Sequence, residues 1–225
     1  MLNEMGWIMG TGVENKPVKS TNEKTLTYYI LKRLIDLIGA AVGLILLMPL
    51  LVITAIAVKI DSKGPIFFCQ QRVGHHGKVF KMYKFRSMVT NAEDLLSGLK
   101  DKNEMSGPMF KMKSDPRVTK VGRFIRRRSI DELPQLINVI KGEMSLVGPR
   151  PNLPREVENF SEHQKQKLLV KPGLTCYWQV MGRNSIDFHQ WIELDIKYIE
   201  ERTLWGDIKL IFKTLKVLFG DNNAS

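Results

Sequence analysis

The longest hydrophobic segment of the chain runs from Leu37 to Val58 and contains no charged residue. A straight helix of this length would cover about 33 Å, which is enough to cross the hydrocarbon core of a bilayer. Pro49 lies near its centre, and an internal proline kinks or breaks a helix. Basic residues flank the segment on both sides, so the positive-inside rule favours neither orientation of a single span. The segment therefore predicts either a re-entrant hairpin broken at Pro49 or a single span, with a buried core helix as a third interpretation.

A second amphipathic pattern lies between Trp205 and Phe219. Its apolar residues recur at helical spacing, and three lysines lie on another face. This pattern predicts either a helix lying in a membrane interface or a surface helix packed on the domain. The preceding segment, 188–202, has helical spacing but more acidic residues, and it predicts a helix of the globular domain.

Short β-prone runs at 66–68 and 79–85 flank the turn sequence Gly-His-His-Gly at 74–77. This arrangement predicts a β-hairpin. The two turn histidines have no third metal ligand near them in the sequence, so a solvated turn is favoured over a metal site.

Two helices are predicted on either side of an arginine triplet. The sequence Ser-Asp-Pro at 114–116 predicts the start of a helix that ends near Arg128. The next helix is expected from Asp131 to Lys141, with Asp131 as its N-cap. In an alternative frame, Ser129 and Glu132 form a capping box.

Composition narrows the class of partner. The chain has 225 residues, a formal net charge of +11 and a sequence pI near 9.6, which favours a polyanionic partner such as nucleic acid, a phosphorylated small molecule or an anionic membrane leaflet. The two cysteines, Cys69 and Cys176, are far apart, which argues against a disulfide scaffold or a zinc site. Residues 1–24 carry little periodic pattern and predict a flexible tail.

The adjacent acids Asp131 and Glu132, which follow three arginines, are the strongest candidates for chemistry. Neighbouring cations keep a carboxylate ionised, and an ionised carboxylate can attack phosphorus or share Mg²⁺ with phosphate oxygens. Arg150 stands between two prolines, whose restricted backbone would help to aim its guanidinium at a phosphate. The alternative interpretation is that the acids only cap a helix and that the arginine triplet forms a solvated face or a lipid headgroup contact.

Four motifs lie within the stretch from Leu31 to Phe219, and the resemblance that they carry extends over all of it. They are KRLIDLIGAAVGLILLMPLLVITAIAVKIDSKGPIFF, QQRVGHHGKVFKMYKFRSM, DPRVTKVGRFIRRRSIDELPQLINVIKGEMSLVGPRP and KPGLTCYWQVMGRN. In sequence and order they resemble the bacterial sugar transferases, the monotopic phosphoglycosyl transferases that start exopolysaccharide, O-antigen and capsule assembly.

The resemblance implies a mainly helical α+β fold that is monotopic in the membrane. It contains a re-entrant helix hairpin broken at Pro49, a small β-hairpin and interfacial amphipathic helices. Family members often carry serine before that proline, where this chain has Met48. The expected segments are a tail at 1–24, the re-entrant helix at 25–62, a cytoplasmic catalytic domain at 63–203, an interfacial helix at 204–219 and a tail at 220–225.

The resemblance also implies roles for individual residues. Asp131 matches the family nucleophile. Glu132, the second acid of the pair, would assist either with the metal or with deprotonation of the acceptor, and both acids are expected to contact Mg²⁺. The residues expected to bind substrate are Lys84, Arg86, Arg126, Arg150 and Arg183.

The activity implied is transfer of a sugar-1-phosphate from a UDP-sugar, of glucose or galactose type, to polyprenyl (undecaprenyl) phosphate. UMP would leave, and a phosphosugar–aspartyl intermediate would form, at the cytoplasmic face of the bacterial plasma membrane. The expected partners are the UDP-sugar, polyprenyl phosphate and anionic membrane lipid, and the sequence leaves open whether the chain forms a homodimer. A non-catalytic membrane adaptor of a polysaccharide assembly complex is the alternative. A nucleic-acid binder would not explain the long apolar segment.

Overall fold

The computed structural model describes residues 24–104, 112, 114–181 and 188–220, which are mostly helical with two small sheets. Most of the predicted terminal tails lies outside these residues. The helices are α1 (Leu26–Asp61), α2 (Ala92–Leu96), α3 (Lys120–Arg127), α4 (Gln135–Lys141), α5 (Pro154–Val157), α6 (Glu162–Lys165), α7 (Tyr177–Met181), α8 (Phe188–Glu201) and α9 (Leu204–Gly220). The strands are β1 (Phe67–Val73), β2 (Val79–Phe85), β3 (Ser145–Val147) and β4 (Gly173–Thr175).

The apolar segment forms one continuous helix, α1, which would be about 54 Å long if straight. The Thr25 hydroxyl caps its start by accepting a hydrogen bond from the Tyr28 N–H. Pro49 lies inside the helix and does not interrupt it, since a proline removes only one donor from the helical ladder. The expected break at Pro49 is thus not observed, and a re-entrant path through a bilayer stays a prediction.

Both ends of α1 are bound to the same globular domain. Near its start, the Asp36 carboxylate accepts hydrogen bonds from the Ser145 hydroxyl and the Leu146 N–H, each at 2.9 Å. At its end, the Asp61 carboxylate accepts from the Val121 N–H at 3.0 Å. The α1 helix therefore lies along the domain rather than projecting from it.

The opposite face of α1 is apolar and exposed along its whole length. The exposed side chains recur at helical spacing and include Leu26, Ile30, Leu34, Ile38, Val42, Ile45, Val52, Ile56 and Ile60. By length and composition, α1 could span a membrane, and only 11% of its most apolar window is buried. A core helix of a soluble protein would be mostly buried, so this exposure favours membrane association over the core-helix interpretation.

The predicted β-hairpin is confirmed. Strands β1 and β2 pair antiparallel, with Phe67 opposite Phe85 and Val73 opposite Val79. The turn between them places His76 at a φ of 54°, a left-handed conformation. Beyond the hairpin, β3 and β4 form a short parallel pair that the sequence analysis did not predict.

The helices around the arginine triplet begin later than predicted. Helix α3 starts at Lys120, where the Thr119 hydroxyl accepts from the Gly122 N–H, because the Asp115 carboxylate instead pairs with Arg117 at 2.6 Å. Helix α4 starts at Gln135.

The residues before α4 correct the prediction that Asp131 is an N-cap. Ser129 has a left-handed φ of 53° and makes no capping hydrogen bond, so the capping box is also wrong. Ile130–Glu132 form a single 3₁₀ turn, and Gly142 ends α4 with a left-handed φ of 82°, as predicted. A 3₁₀ turn in place of the helix start frees the two acidic side chains from capping.

The C-terminal helices support both interpretations of the final amphipathic pattern. Helix α8 packs Trp191, Ile192 and Ile196 into a buried cluster. Helix α9 buries Leu210 in the main core but exposes Trp205, Phe212 and Leu215, which recur at helical spacing. One side of α9 thus packs on the domain and another presents an apolar stripe to its surroundings.

Candidate active site

Glu132 lies at the centre of a compact cluster of charges. Its Oε1 accepts from the Lys84 Nζ at 2.7 Å and from the Arg150 Nη1 at 3.3 Å. Desolvation alone would raise the pKa of this carboxyl, but Lys84 and Arg150 outweigh it and hold the pKa well below its usual range. Glu132 is therefore ionised at neutral pH.

Asp131 has the opposite electrostatic character. Its side chain is buried, with 7% of the residue exposed. Burial raises the pKa of the Asp131 carboxyl, Lys84 lowers it in part, and the Glu132 charge raises it further. Two neighbouring acids whose pKa values are pushed apart commonly divide their chemical roles, the more basic one being the stronger nucleophile or base.

The cluster depends on a buried asparagine that joins α4 to the hairpin. Asn138 is fully buried; its Oδ1 accepts from the Tyr83 N–H at 3.0 Å, and its Nδ2 donates to the Lys81 carbonyl at 2.7 Å. The Asn138 amide thus binds an N–H and a carbonyl of β2, as a neighbouring strand would, and this contact fixes α4 against β2. Since Lys84 follows Tyr83 on β2, the same contact fixes Lys84 beside Glu132.

Arg150 extends from the loop after β3 and is supported by two tryptophans. Its guanidinium carbon lies 5.5 Å from the centre of the Trp178 ring and 5.8 Å from that of Trp191. Two residues further on, the Asn152 Oδ1 accepts from the Lys167 Nζ at 2.8 Å, and Lys167 forms a buried ion pair with Asp195 at 2.8 Å. The prolines around Arg150 were expected to restrict it, and these contacts restrain its side chain and its loop further.

The approach of β3 to β4 also shapes the site. A Cβ atom at Gly173 would overlap the backbone of Gly148, and one at Gly148 would overlap the backbone of Lys171. Glycine at both positions lets the loop that carries Arg150 lie directly against the start of β4.

The remaining predicted substrate-binding residues are placed differently. Arg126 is exposed, and its charge is near enough to lower the pKa of Asp131. Arg86 is buried and donates to the carbonyls of Ser62, at 2.7 Å, and Lys63 after the end of α1, which indicates a structural role. Arg183 lies outside the described residues. The structure thus brings together Lys84, Arg126 and Arg150 around the two acids, but not Arg86.

Three residues near the acids were missed by the sequence analysis. Arg72 on β1 is buried and donates to the Pro151 carbonyl at 3.1 Å; burial and the charge of Arg150 lower its pKa to about 10. Gln135 and Gln179 line a pocket together with Glu132 and Arg150. No sequence signal marks these three, because an arginine in a strand or a glutamine in a helix is most often on the surface.

The two acids fit a magnesium ion by their chemistry. Mg²⁺ prefers carboxylate oxygens and takes only one or two of them, with substrate phosphates and water completing its shell. Asp131 and Glu132 supply two adjacent carboxyl groups. The described residues contain no group of three or more metal-binding side chains, so an ion here would depend on substrate oxygens.

Comparison with known proteins identifies the relatives of the chain. The family model described as "Bacterial sugar transferase" matches residues 27–221. The galactosyl transferase CpsE of Streptococcus agalactiae is 47% identical over 193 residues, which cover 85% of this chain and 43% of that protein. The undecaprenyl-phosphate galactose phosphotransferase of Salmonella typhimurium is 45% identical over 198 residues, covering 86% of this chain and 41% of that protein.

A third relative is closer in length. The exopolysaccharide production protein ExoY of Rhizobium meliloti is 38% identical over 188 residues, which cover 82% of this chain and 83% of that protein. The chain spans less than half the length of the first two relatives and most of the length of the third. The match of the family model over most of the chain, together with this relative, establishes that the chain belongs to the bacterial sugar transferase family.

Proposed function

We propose that the chain transfers a sugar-1-phosphate from a UDP-sugar to polyprenyl phosphate, with a donor of glucose or galactose type. The observation that carries the proposal is the pair of adjacent acids, one basic and buried, the other held ionised by Lys84 and Arg150. The names of the relatives support the substrates, since one is a galactosyl transferase and another an undecaprenyl-phosphate galactose phosphotransferase.

In the first step, an oxygen of ionised Asp131 attacks the phosphorus that carries the sugar. A bond forms between this oxygen and the phosphorus, the bond from that phosphorus to the bridging oxygen breaks, and UMP leaves with the electron pair. Lys84, Arg126 and Arg150 stabilise the negative charge on the phosphate oxygens as it shifts towards the leaving group. The product on the protein is a phosphosugar–aspartyl acyl phosphate.

In the second step, a phosphate oxygen of polyprenyl phosphate attacks the same phosphorus. The bond to Asp131 breaks, the carboxylate is regenerated, and polyprenyl diphosphate-sugar leaves. Glu132 is a weak base because its pKa lies well below its usual range. We therefore assign it to holding Lys84 and Arg150 in place and to metal binding, rather than to deprotonating the acceptor.

Asp131 and Glu132 would hold Mg²⁺, which when bound would neutralise phosphate charge. The chain's own cations act on the same oxygens. Removal of divalent metal with a chelator should lower turnover strongly, because the phosphates would lose part of the charge neutralisation, and it should not unfold the protein.

The lipid acceptor requires the site to lie at a membrane surface. The exposed apolar faces of α1 and α9 provide contacts with the leaflet, and the net charge of +11 favours anionic lipid. Because both ends of α1 are bound to one domain, both ends stay on one side of the bilayer, which supports a monotopic arrangement. The cytoplasmic face, where nucleotide sugars are available, is the side we propose.

The test is UMP release by detergent-solubilised protein supplied with polyprenyl phosphate, Mg²⁺ and either UDP-galactose or UDP-glucose. Asp131→Asn should abolish release, while the matched variant Glu158→Gln, which neutralises an exposed acid, should retain it. With donor alone, the wild-type protein should gain the mass of a hexose phosphate, and Asp131→Asn should not.

Each failure has a distinct meaning. Turnover by Asp131→Asn would eliminate the aspartyl intermediate while leaving the transfer reaction in place. Absence of UMP with every donor, from folded protein, would overturn the transferase proposal and favour the non-catalytic adaptor.

A further inference from the structure

A small pocket beside Glu132, with room for about one water-sized group, is lined by polar side chains that the phosphate chemistry does not use. It lies next to Glu132 and Arg150, and the two glutamines, Gln135 and Gln179, form part of its wall. The glutamines come from different elements, α4 and α7, so the fold brings them together at this point.

Gln179 has an unsatisfied polar atom in this wall. Only 6% of the residue is exposed, and its Oε1 accepts no hydrogen bond from the part of the chain that the structure describes. Its Nε2 reaches the Leu174 carbonyl at 3.5 Å, which is a long contact. A buried polar atom without a partner costs about 1–3 kcal/mol, so native proteins keep one mainly where a ligand or water completes it.

Gln135 adds a second amide to the same wall. It is 3% exposed, and it lines the pocket beside Gln179. An amide both donates and accepts, whereas the cations nearby only donate. Two amides therefore suit a neutral group that also donates and accepts, such as a sugar hydroxyl or the edge of uracil.

The connectivity of the donor distinguishes these two groups. In a UDP-sugar, the sugar is bonded through one oxygen to the phosphorus that Asp131 would attack, whereas uracil lies beyond a second phosphate and a ribose. The pocket is adjacent to Glu132, the neighbour of Asp131. A group bound in it is therefore closer to the reacting phosphorus than uracil would be.

We infer that Gln135 and Gln179 bind one hydroxyl group of the transferred hexose, the part of the sugar that this pocket can hold, and determine which sugar the protein accepts. This inference rests on the proposed function and deepens it by naming the residues that read the donor. The phosphates are bound by charge and are the same in every UDP-sugar. Discrimination between sugars that differ at one hydroxyl must therefore come from neutral polar groups such as these amides.

The experiment compares Gln179→Met and Gln135→Met with the wild-type protein. Methionine keeps the approximate volume of glutamine and removes both hydrogen-bonding groups. The matched control is Gln71→Met on the exposed part of β1. The measured quantities are kcat/KM for UMP release with UDP-galactose and UDP-glucose, the Kd of UDP by calorimetry, and the Tm.

We expect each pocket variant to lower kcat/KM for the preferred sugar about 10- to 100-fold, as expected for one or two lost hydrogen bonds in a buried site. The loss should be smaller for the other sugar, so the ratio of the two kcat/KM values moves towards one. The Kd of UDP should not change, because UDP lacks the hexose. The control should match the wild-type protein in all measurements.

Three results would overturn the inference. A weaker Kd for UDP, with equal losses for both sugars, would assign the pocket to uracil. An unchanged ratio of kcat/KM for the two UDP-sugars in both variants would show that the glutamines do not recognise the sugar. A large fall in Tm with equal losses for both sugars would make their role structural. Absence of UMP from the wild-type protein would instead be a failure of the proposed function. The two failures are distinguishable, because the Kd of UDP reports on nucleotide binding even when no transfer occurs.

Discussion

Replacing Lys167 with methionine tests the buried ion pair that supports the Arg150 loop. The Lys167 Nζ lies 2.8 Å from the Asp195 Oδ2, and the side chains are 2% and 0% exposed. The same Nζ donates to the Asn152 Oδ1 at 2.8 Å. Methionine fills most of the same space but removes the cation, so Asp195 would be left buried without its charge partner.

The expected loss of stability follows from this burial. Removing one partner of a buried ion pair costs about 3–5 kcal/mol, because the remaining charge is both desolvated and unpaired. For a protein of this size, about 1 kcal/mol changes the Tm by about 2–4 °C. Lys167→Met should therefore lower the Tm by about 6–20 °C.

The loss should depend on pH in a defined direction. Burial raises the pKa of Asp195, and Lys167 lowers it in part. Without Lys167 the pKa rises further, so the folded variant binds a proton more readily than the unfolded chain does. Its stability relative to the wild-type protein should therefore be partly recovered as the pH falls through the folded pKa of Asp195 in the variant, and lost again as the pH rises through that pKa.

Thermal unfolding in detergent measures this directly, with tryptophan fluorescence as the signal, since Trp191 lies 5.4 Å from the Lys167 Nζ. The matched control is Lys197→Met, which breaks an exposed pair with Glu201 and should change the Tm by very little. The double variant Lys167→Met/Asp195→Asn removes both charges and should recover more than half of the loss. A fall in Tm no larger than that of the control, or no recovery in the double variant, would refute the reasoning.

Three further predictions concern residues around the site. Arg86→Met should lower the free energy of unfolding by about 2–3 kcal/mol, because the carbonyls at the end of α1 lose a charged donor, and it should leave the KM for the UDP-sugar unchanged. A raised KM at constant Tm would show that Arg86 binds substrate. Gly173→Ala should fold poorly, by soluble yield and Tm, because its Cβ would overlap Gly148, whereas Gly98→Ala has open space and should match the wild-type protein; equal yields would show that the β3–β4 approach can relax. Phe212→Ser on the exposed stripe of α9 should lower the fraction of protein that sediments with anionic liposomes. An unchanged fraction would show that Phe212 does not contribute to membrane binding.

The elements that the sequence predicted well depend on local patterns. The hairpin follows from two β-prone runs around a Gly-His-His-Gly turn, and α9 from apolar spacing; both are confirmed. The starts of α3 and α4 were wrong because caps compete. Asp115 can cap a helix, but it pairs with Arg117 instead, and the preference of Ser129 for capping is overridden by its left-handed conformation.

The residues of the candidate site also divide into those that the sequence predicted correctly and those that it did not. The two acids and Arg150 were predicted from the local pattern of charges and prolines, whereas Lys84 and Arg126 were assigned because their motifs match the family. Arg86 belongs to the same motif as Lys84, but it points instead to the end of α1. In a continued strand, residues two apart would share a face, but β2 ends at Phe85, so alternation no longer fixes the direction of Arg86.

By itself, the sequence determined the apolar length of α1, the net charge, the order of the motifs and the acidic pair. These depend on residues close together in the chain and on simple counts. Only the tertiary structure decided that one acid is buried and the other is paired with cations. It also decided that Gln135 and Gln179 line one pocket, that Arg72 binds the Pro151 carbonyl next to Arg150, and that a buried ion pair supports the loop that carries Arg150. The physical reason is that burial and charge pairing, which set pKa values and leave polar atoms unsatisfied, arise from contacts between residues far apart in sequence, and no local pattern specifies those contacts.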